Sequence, residues 1–152
     1  MNILLREITP GDFCMLKAWM DQPYVTQVYG ESGPWLEELY GGEFDFIRCF
    51  VAELDGKPVG FGQYYDCNLG GEEWYEAPEP DVLYSMGLFV GESDRLNQGI
   101  GSALCLALMA HIAENTNCQT VLMQAKTPAA AALLKRCGFV EHNAVYSKQI
   151  RE

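Results

Sequence analysis

The chain has 152 residues, 49% of them hydrophobic, and a formal net charge of −11. That length and composition predict one globular domain, 1–152, with a single core, and exclude a disordered chain. No apolar run reaches the roughly 18 residues of a membrane span, and the acidic balance disfavours nucleic acid and anionic membrane surfaces. The N-terminus lacks the basic-then-apolar pattern of a leader. Cys14, Cys49, Cys67, Cys105, Cys118 and Cys137 are scattered and read as buried, reduced thiols of a cytoplasmic protein. His111 and His142 stand apart from one another, so no metal site is expected.

Residues 3–8 read as a short strand. Thr9-Pro10-Gly11-Asp12 then starts a helix, with Thr9 as N-cap and Pro10 at the first helical position. Phe13, Leu16 and Met20, with Met15 and Trp19 beside them, form its expected buried face. Residues 24–40 are aromatic and glycine-punctuated and predict one or two short helices, clearest over 35–40. Such a segment either walls a binding cleft, through residues such as Tyr29 and Trp35, or merely connects. Residues 46–54 and 57–67 read as strands joined at Asp55-Gly56, a strong hairpin signal. Residues 68–81 read as a loop in which Glu72, Glu73, Glu76, Glu79 and Asp81 surround Trp74 and Tyr75. Carboxylates interleaved with aromatics suit a cationic amine, through charge and through the ring face; a solvated surface loop is the plainer reading.

The rest of the chain is organised around residues 83–112. Leu83-Tyr84-Ser85-Met86-Gly87-Leu88-Phe89-Val90 is apolar on both faces, as a buried central strand must be. A turn leads into a helix opening at Gly99-Ile100-Gly101-Ser102, with Ile100, Ala103, Leu104, Ala107, Leu108 and Ile112 in one stripe. Two glycines in a first helical turn cost roughly 1 kcal/mol each against alanine. The first-turn N–H groups lack partners within the helix and lie at the positive end of its dipole, so a phosphate suits them. A tight packing turn with no ligand is the alternative. Residues 120–124 then form a buried strand, and Thr127-Pro128 start an alanine-rich helix with Gly138 as its C-cap. Residues 140–150 close the sheet. The element order predicts an α/β (mixed α+β) domain, one mixed sheet of about six to seven strands flanked by helices. It does not fit a dinucleotide-binding fold, because Leu104 stands where a third glycine is needed.

Charge placement narrows the partner. Between residues 31 and 81 there are 13 acidic residues against two basic ones, Arg48 and Lys57. The remaining acidic and basic residues cancel. A cationic small molecule is the partner this segment suits, and a merely solubilising surface is the competing reading.

Taken together, these residues resemble a GCN5-related N-acetyltransferase over nearly the whole chain. Leu96-Asn97-Gln98-Gly99-Ile100-Gly101 is similar to the family's acetyl-CoA signature, Arg/Gln-x-x-Gly-x-Gly/Ala. Phe89-Val90-Gly91-Glu92-Ser93-Asp94, Gly60-Phe61-Gly62-Gln63-Tyr64-Tyr65 and Trp19-Met20 resemble the aminoglycoside 6'-N-acetyltransferase-like branch. Three positions depart from the pattern. Leu96 replaces the motif's Arg or Gln. Thr127 and Leu134 replace an Asn and a Tyr, the Tyr being the usual acid for the departing CoA thiolate. Gly87 replaces a central-strand aspartate of the aminoglycoside enzymes.

The resemblance implies a splayed central strand and acetyl-CoA as co-substrate, with no metal. Leu88, Phe89 and Val90 would pair with the pantetheine arm, and a backbone N–H there would polarise the thioester carbonyl. Leu96, Asn97, Gln98, Gly99, Ile100, Gly101 and Ser102 would hold the pyrophosphate, with Thr127 also on the cofactor. Gly101→Val is expected to block acetyl-CoA while leaving the fold largely intact. Asp81, Glu79 or Glu73 would take a proton from the substrate ammonium through water. Tyr84 and Tyr146 are the candidate acids or orienters, and Leu134 is expected to face the CoA sulfur. Tyr29, Trp35, Glu73, Trp74 and Glu79 are the expected contacts of an aminoglycoside- or polyamine-like amine. A protein N-terminal or lysine acetyltransferase and a non-catalytic acyl-CoA sensor remain alternatives, and monomer and homodimer are both open.

Overall fold

A computed structural model describes residues 1–42, 45–70, 82–142 and 145–150. Seven strands form one mixed sheet: β1 (Ile3–Glu7), β2 (Arg48–Leu54), β3 (Lys57–Asp66), β4 (Leu83–Val90), β5 (Thr120–Gln124), β6 (Val140–His142) and β7 (Val145–Gln149), ordered β1-β2-β3-β4-β5-β7-β6. The helices are α1 (Phe13–Met20), α2 (Pro23–Tyr29), α3 (Ser32–Tyr40), the single turn α4 (Cys67–Gly70), α5 (Ile100–Asn115) and α6 (Pro128–Arg136). Every pairing is antiparallel except β4 with β5.

Local chemistry explains the framework. Asp55 and Gly56 both take positive φ, 52° and 78°, the condition of the two-residue turn that matches strand twist. A register shift at Ala52/Glu53 interrupts the β2–β3 ladder. Val59, next to it, gives its carbonyl to the Gly91 N–H at 2.8 Å, which anchors the loop after β4. Gly62 lies directly under Leu108, whose methyls would come within 2.7 Å of a Cβ there. The glycine lets α5 sit close on the sheet.

The sheet divides the interior into two packed layers rather than the single core expected. On one face, Phe50, Tyr64, Met86, Leu104, Leu108, Ile112, Val121 and Leu134 pack under α5 and α6. On the other, Leu16, Trp19, Met20, Val25, Leu36, Phe61 and Phe89 pack under α1, α2 and α3. Successive residues of a strand point to opposite faces, so β4 feeds both layers.

Some expectations need correction. Phe13 is 41% exposed, because a 3₁₀ turn at Pro10–Asp12 precedes α1 and rotates Phe13 off the buried stripe. There it tilts against Tyr40 at 5.6 Å. Cys14 is exposed, whereas the other five cysteines are buried. Among the described residues no helix is long and apolar enough to cross a membrane.

Candidate active site

The site begins where β4 loses a neighbour. Strand β5 pairs with it only at Leu83, Tyr84 and Ser85, whereas β3 follows it to Val90. Among the described residues, no strand lies beside one edge of β4 from Met86 onward. Edge carbonyls and N–H groups left without a ladder must find other partners. Here they find side chains from both ends of α2 and from its N-cap. The Tyr29 hydroxyl donates to the Leu88 carbonyl at 2.7 Å and accepts from the Leu88 N–H at 3.3 Å. The Tyr24 hydroxyl donates to the Val90 carbonyl at 2.6 Å, and Gln22 Nε2 to the Gly91 carbonyl at 2.7 Å. Burial of Tyr29 pushes its phenol up to about 12, so it stays a proton donor across the working pH range.

The loop after β4 is held from below. A Cβ on Gly91 would stand 2.3 Å from the Trp19 ring, and Trp19 Nε1 donates to Glu92 at 2.8 Å. Asn97 and Gly99 take positive φ, 62° and 82°, which bends the chain so that α5 starts at Ile100. Gly99 has open space around it. The N–H groups of Ile100, Gly101 and Ser102 stand in the first turn of this helix, where backbone donors have no acceptor within the helix. Gly101, however, serves packing: a Cβ there would meet Leu133 Cδ1 of α6 at 2.7 Å. Gln98 turns its amide back onto the Asp94 carbonyl at 2.8 Å. Leu96 is exposed and Ile100 is buried in the core, so Ile100 offers a ligand only its backbone. Thr127 caps α6, its hydroxyl accepting from the Ala130 N–H at 3.1 Å.

Two hollows meet at this edge. A narrow cleft of about 160 Å³ between the diverging strands is lined by Val28, Tyr29, Gln63, Tyr65, Ser85, Met86, Gly87, Met123, Gln124 and Lys126. A wider hollow of about 310 Å³ is lined by Tyr29, Glu31, Pro34, Trp35, Glu38 and Gln63. Tyr29 and Gln63 belong to both. The Tyr29 and Trp35 rings lie 4.8 Å apart, and Trp35 Nε1 donates to Gln63 Oε1 at 3.4 Å. The hollow therefore offers two carboxylates and aromatic faces, the chemistry that holds an ammonium. Lys126 donates to the Val28 carbonyl at 3.2 Å at the cleft's other side.

Tyr29 and Trp35, named from sequence, come together at this site. The proposed acids do not join them. Tyr84 faces the α5 layer, 6.1 Å from Tyr64, with Thr116 as its hydroxyl partner. Tyr146 is buried and donates to Glu141 at 2.7 Å; that carboxylate raises its pKa. Leu134 is 1% exposed inside the core, so it does not face a sulfur in an open groove. Glu73, Trp74, Glu79 and Asp81 lie outside the described residues. Sequence reasoning missed Tyr24, Glu31, Glu38 and Gln63. The acidic excess of residues 31–81 pointed to this region, but only the placement of α3 beside β3 selects Glu31 and Glu38.

The fold is a mixed seven-stranded sheet whose central parallel pair parts beside a glycine-led helix. The profile of the acetyltransferase (GNAT) domain matches residues 9–146, and the chain belongs to that family. It is 23% identical over 116 residues to the aminoglycoside N(6')-acetyltransferase type 1 of Klebsiella pneumoniae, covering 71% of this chain and 58% of that protein. It is 27% identical over 123 residues to an N-hydroxyputrescine acetyltransferase of Acinetobacter baumannii, covering 76% and 56%. The chain thus spans a little over half the length of these curated relatives. In three dimensions it resembles the aminoglycoside acetyltransferase AAC(6')-Ib solved with coenzyme A, with a TM-score of 0.85, 17% identity and coverage of 98% and 95%. A second structure of that protein, with paromomycin and acetyl-CoA, superposes equally well at 18% identity, covering 99% and 94%.

Proposed function

We propose that the chain is an acetyl-CoA-dependent N-acetyltransferase acting on a primary amine of a small cationic molecule. The observation that carries this is a juxtaposition. The open edge of β4 at Leu88 and Val90 adjoins the hollow of Glu31, Glu38 and Trp35, with Tyr29 and Gln63 shared between cleft and hollow. The relatives' names, an aminoglycoside and a hydroxylated diamine acetyltransferase, agree with a small polar amine as acceptor.

Acetyl-CoA supplies an activated acyl carbonyl. The first-turn amides of α5, from Ile100 to Ser102, would receive its pyrophosphate, and the edge of β4 its amide-bearing arm. Leu88 N–H, which donates to the Tyr29 hydroxyl at 3.3 Å, would be the backbone donor to the acyl oxygen. Glu31 and Glu38 would hold the acceptor's distal charge while its reacting nitrogen enters the cleft beside Gly87. The nitrogen lone pair forms the new C–N bond, the C–S bond breaks, and sulfur leaves with its electron pair. The surplus proton on the nitrogen passes to water, and the departing thiolate, a tolerable anion with a thiol pKa of about 8.5, takes its proton from solvent.

Among the described residues, no carboxylate lines the narrow cleft. This favours a second reading of the acceptor: a nitrogen already neutral at pH 7, such as the hydroxylamine end of an N-hydroxy diamine, which needs no base to free its lone pair before attack and gives up its N–H proton to water afterwards. Both readings are tested by incubating the chain with acetyl-CoA and a panel of aminoglycosides, polyamines, N-hydroxy diamines and peptide amines. CoA release is followed, with the product identified by its added acetyl mass. The expected result is turnover confined to the small cationic amines. Turnover only with peptides, or none at all, would sink it. Glu31→Gln/Glu38→Gln should raise the acceptor KM about tenfold or more, since losing one hydrogen-bonded charge costs about 1.5–3 kcal/mol, with acetyl-CoA affinity unchanged.

A further inference from the structure

The Leu88 N–H has one hydrogen, and in this structure an oxygen of the chain's own already faces it. Tyr29 Oη lies 3.3 Å from that nitrogen and 2.7 Å from the Leu88 carbonyl oxygen. The two bonds are unequal. The hydroxyl's own proton is committed to the carbonyl in the short bond, whereas the N–H bond is at the slack end of hydrogen-bonding range. An incoming acyl oxygen can therefore take the N–H without evicting the tyrosine, and would then sit beside the hydroxyl.

The ring is not free to leave. It packs against Trp35 at 4.8 Å and Phe89 at 6.2 Å, so motion is left chiefly to the hydroxyl proton. We propose that Tyr29 is a catalytic residue of the acetyl transfer, acting as the second hydrogen-bond donor to the acyl oxygen beside the Leu88 N–H. The inference rests on the acetyltransferase reading above.

The physical reason is a competition that changes sign as charge develops. Before attack, the Leu88 carbonyl and the acyl carbonyl are both neutral acceptors, and the proton stays in its short bond to Leu88. As the amine lone pair enters the acyl carbon, the carbonyl electron pair moves onto oxygen. A charged acceptor makes a hydrogen bond roughly twice as strong as a neutral one, so the O–H rotates from the Leu88 carbonyl to the acyl oxygen. When the C–S bond breaks, the pair returns to the carbonyl and the proton swings back. Nothing is consumed, and the donor acts only near the transition state, which raises kcat rather than affinity. Burial keeps the phenol protonated throughout, its pKa lying at about 12. The hydroxyl also explains how a chain with Leu134 in its core and Tyr146 bonded to Glu141 keeps a tyrosine at the reacting atoms.

The test is Tyr29→Phe, which removes one oxygen and keeps the ring. Three quantities are compared with the parent: the melting temperature, the Kd for acetyl-CoA by calorimetry, and kcat with the best amine of the panel above. The expectation is an unchanged Kd and a kcat lowered about 10²-fold, the usual cost of one oxyanion donor. In ¹⁵N-labelled free protein the Leu88 amide resonance should shift, since it loses its acceptor. A kcat within threefold of the parent would overturn the inference. So would a loss accounted for by weaker acetyl-CoA binding. Should Tyr29→Phe fail to fold, 3-fluorotyrosine introduced at position 29 substitutes for it: a more acidic phenol donates better, so kcat should hold or rise, and a fall contradicts the proposal. If the parent binds acetyl-CoA but acetylates no amine, the functional reading itself has failed and this inference with it.

Discussion

Gly87 and Gly101 lie close in the chain, yet an added side chain meets ordinary contact at one and a packed neighbour at the other. At Gly87 a Cβ would meet only Gln63 and Tyr29, at 3.7 and 3.9 Å, which is ordinary contact. Gly87→Asp should therefore fold with near-parental stability. It would place a carboxylate beside the cleft, where the resemblance puts an aspartate in the aminoglycoside enzymes. The expected outcome is a rise in kcat/KM toward alkylamines, largest below the amine's pKa, where a base matters most; a pH–rate profile of the two proteins checks it. At Gly101 the neighbour is Leu133 at 2.7 Å. A methyl can be absorbed by a small shift of that side chain, but Gly101→Val adds a branched group into the α5–α6 contact and should cost about 1–3 kcal/mol. Urea unfolding of the unliganded chain measures this. The expectation that Gly101→Val spares the fold is thereby reversed.

At the scale of elements, the turn before α1 is tied by one carboxylate. Asp12 accepts from Arg6 through both oxygens at 2.8 Å, and from the Thr9 N–H at 2.8 Å. Arg6 also reaches Glu53, so β1, β2 and the start of α1 share a single cluster. The arginine bonds hold Asp12 at about 2, below its ordinary 3.8. A carboxylate whose folded pKa is depressed stabilises the fold above its unfolded pKa. That contribution is lost as pH falls through the folded value, here between about pH 4 and pH 2. With Arg6 partly open to solvent, the contribution is about 1–2 kcal/mol. Asp12→Asn should lower stability by about that much at pH 7 and narrow the gap to the parent below pH 3. Chemical denaturation at several pH values measures both. Helix α2, the next element, gives Tyr24 and Tyr29 to the edge of β4, so loosening α1 should reach the site through its neighbour.

At the scale of the molecule, the net charge of −11 sets a cationic acceptor apart from an anionic co-substrate. Exposed charges are screened beyond about 8–10 Å at ordinary ionic strength. Added salt should therefore raise the KM of a polycationic acceptor without a parallel loss of acetyl-CoA affinity. Steady-state kinetics and calorimetry across a salt series read the two separately. Acetyl-CoA binding only the native chain should add about 2.7 kcal/mol at 100 times its Kd, visible as a higher melting temperature. No shift at millimolar acetyl-CoA would contradict the proposed function.

Much of the fold was legible in the chain itself, because it rests on local chemistry. Asp55-Gly56 dictates a tight hairpin through its positive φ values. The doubly apolar run at Leu83–Val90 can only be a central strand, and Pro128 and Gly138 mark where α6 begins and ends. The glycine-led turn into α5 was equally readable, as was the acidic excess of the middle third. What tertiary structure decided is which groups face which. A half-buried tyrosine on a short helix carries no sequence sign that its hydroxyl will reach Leu88, 59 residues away. Nor does spacing reveal that Leu133 fills the space beside Gly101, or that Tyr146 is already bonded to Glu141. These contacts follow from how β4 parts from β5 and how α2 lies over the gap. Local propensity sets the elements, but the partners at the site arise from long-range packing that no short stretch encodes.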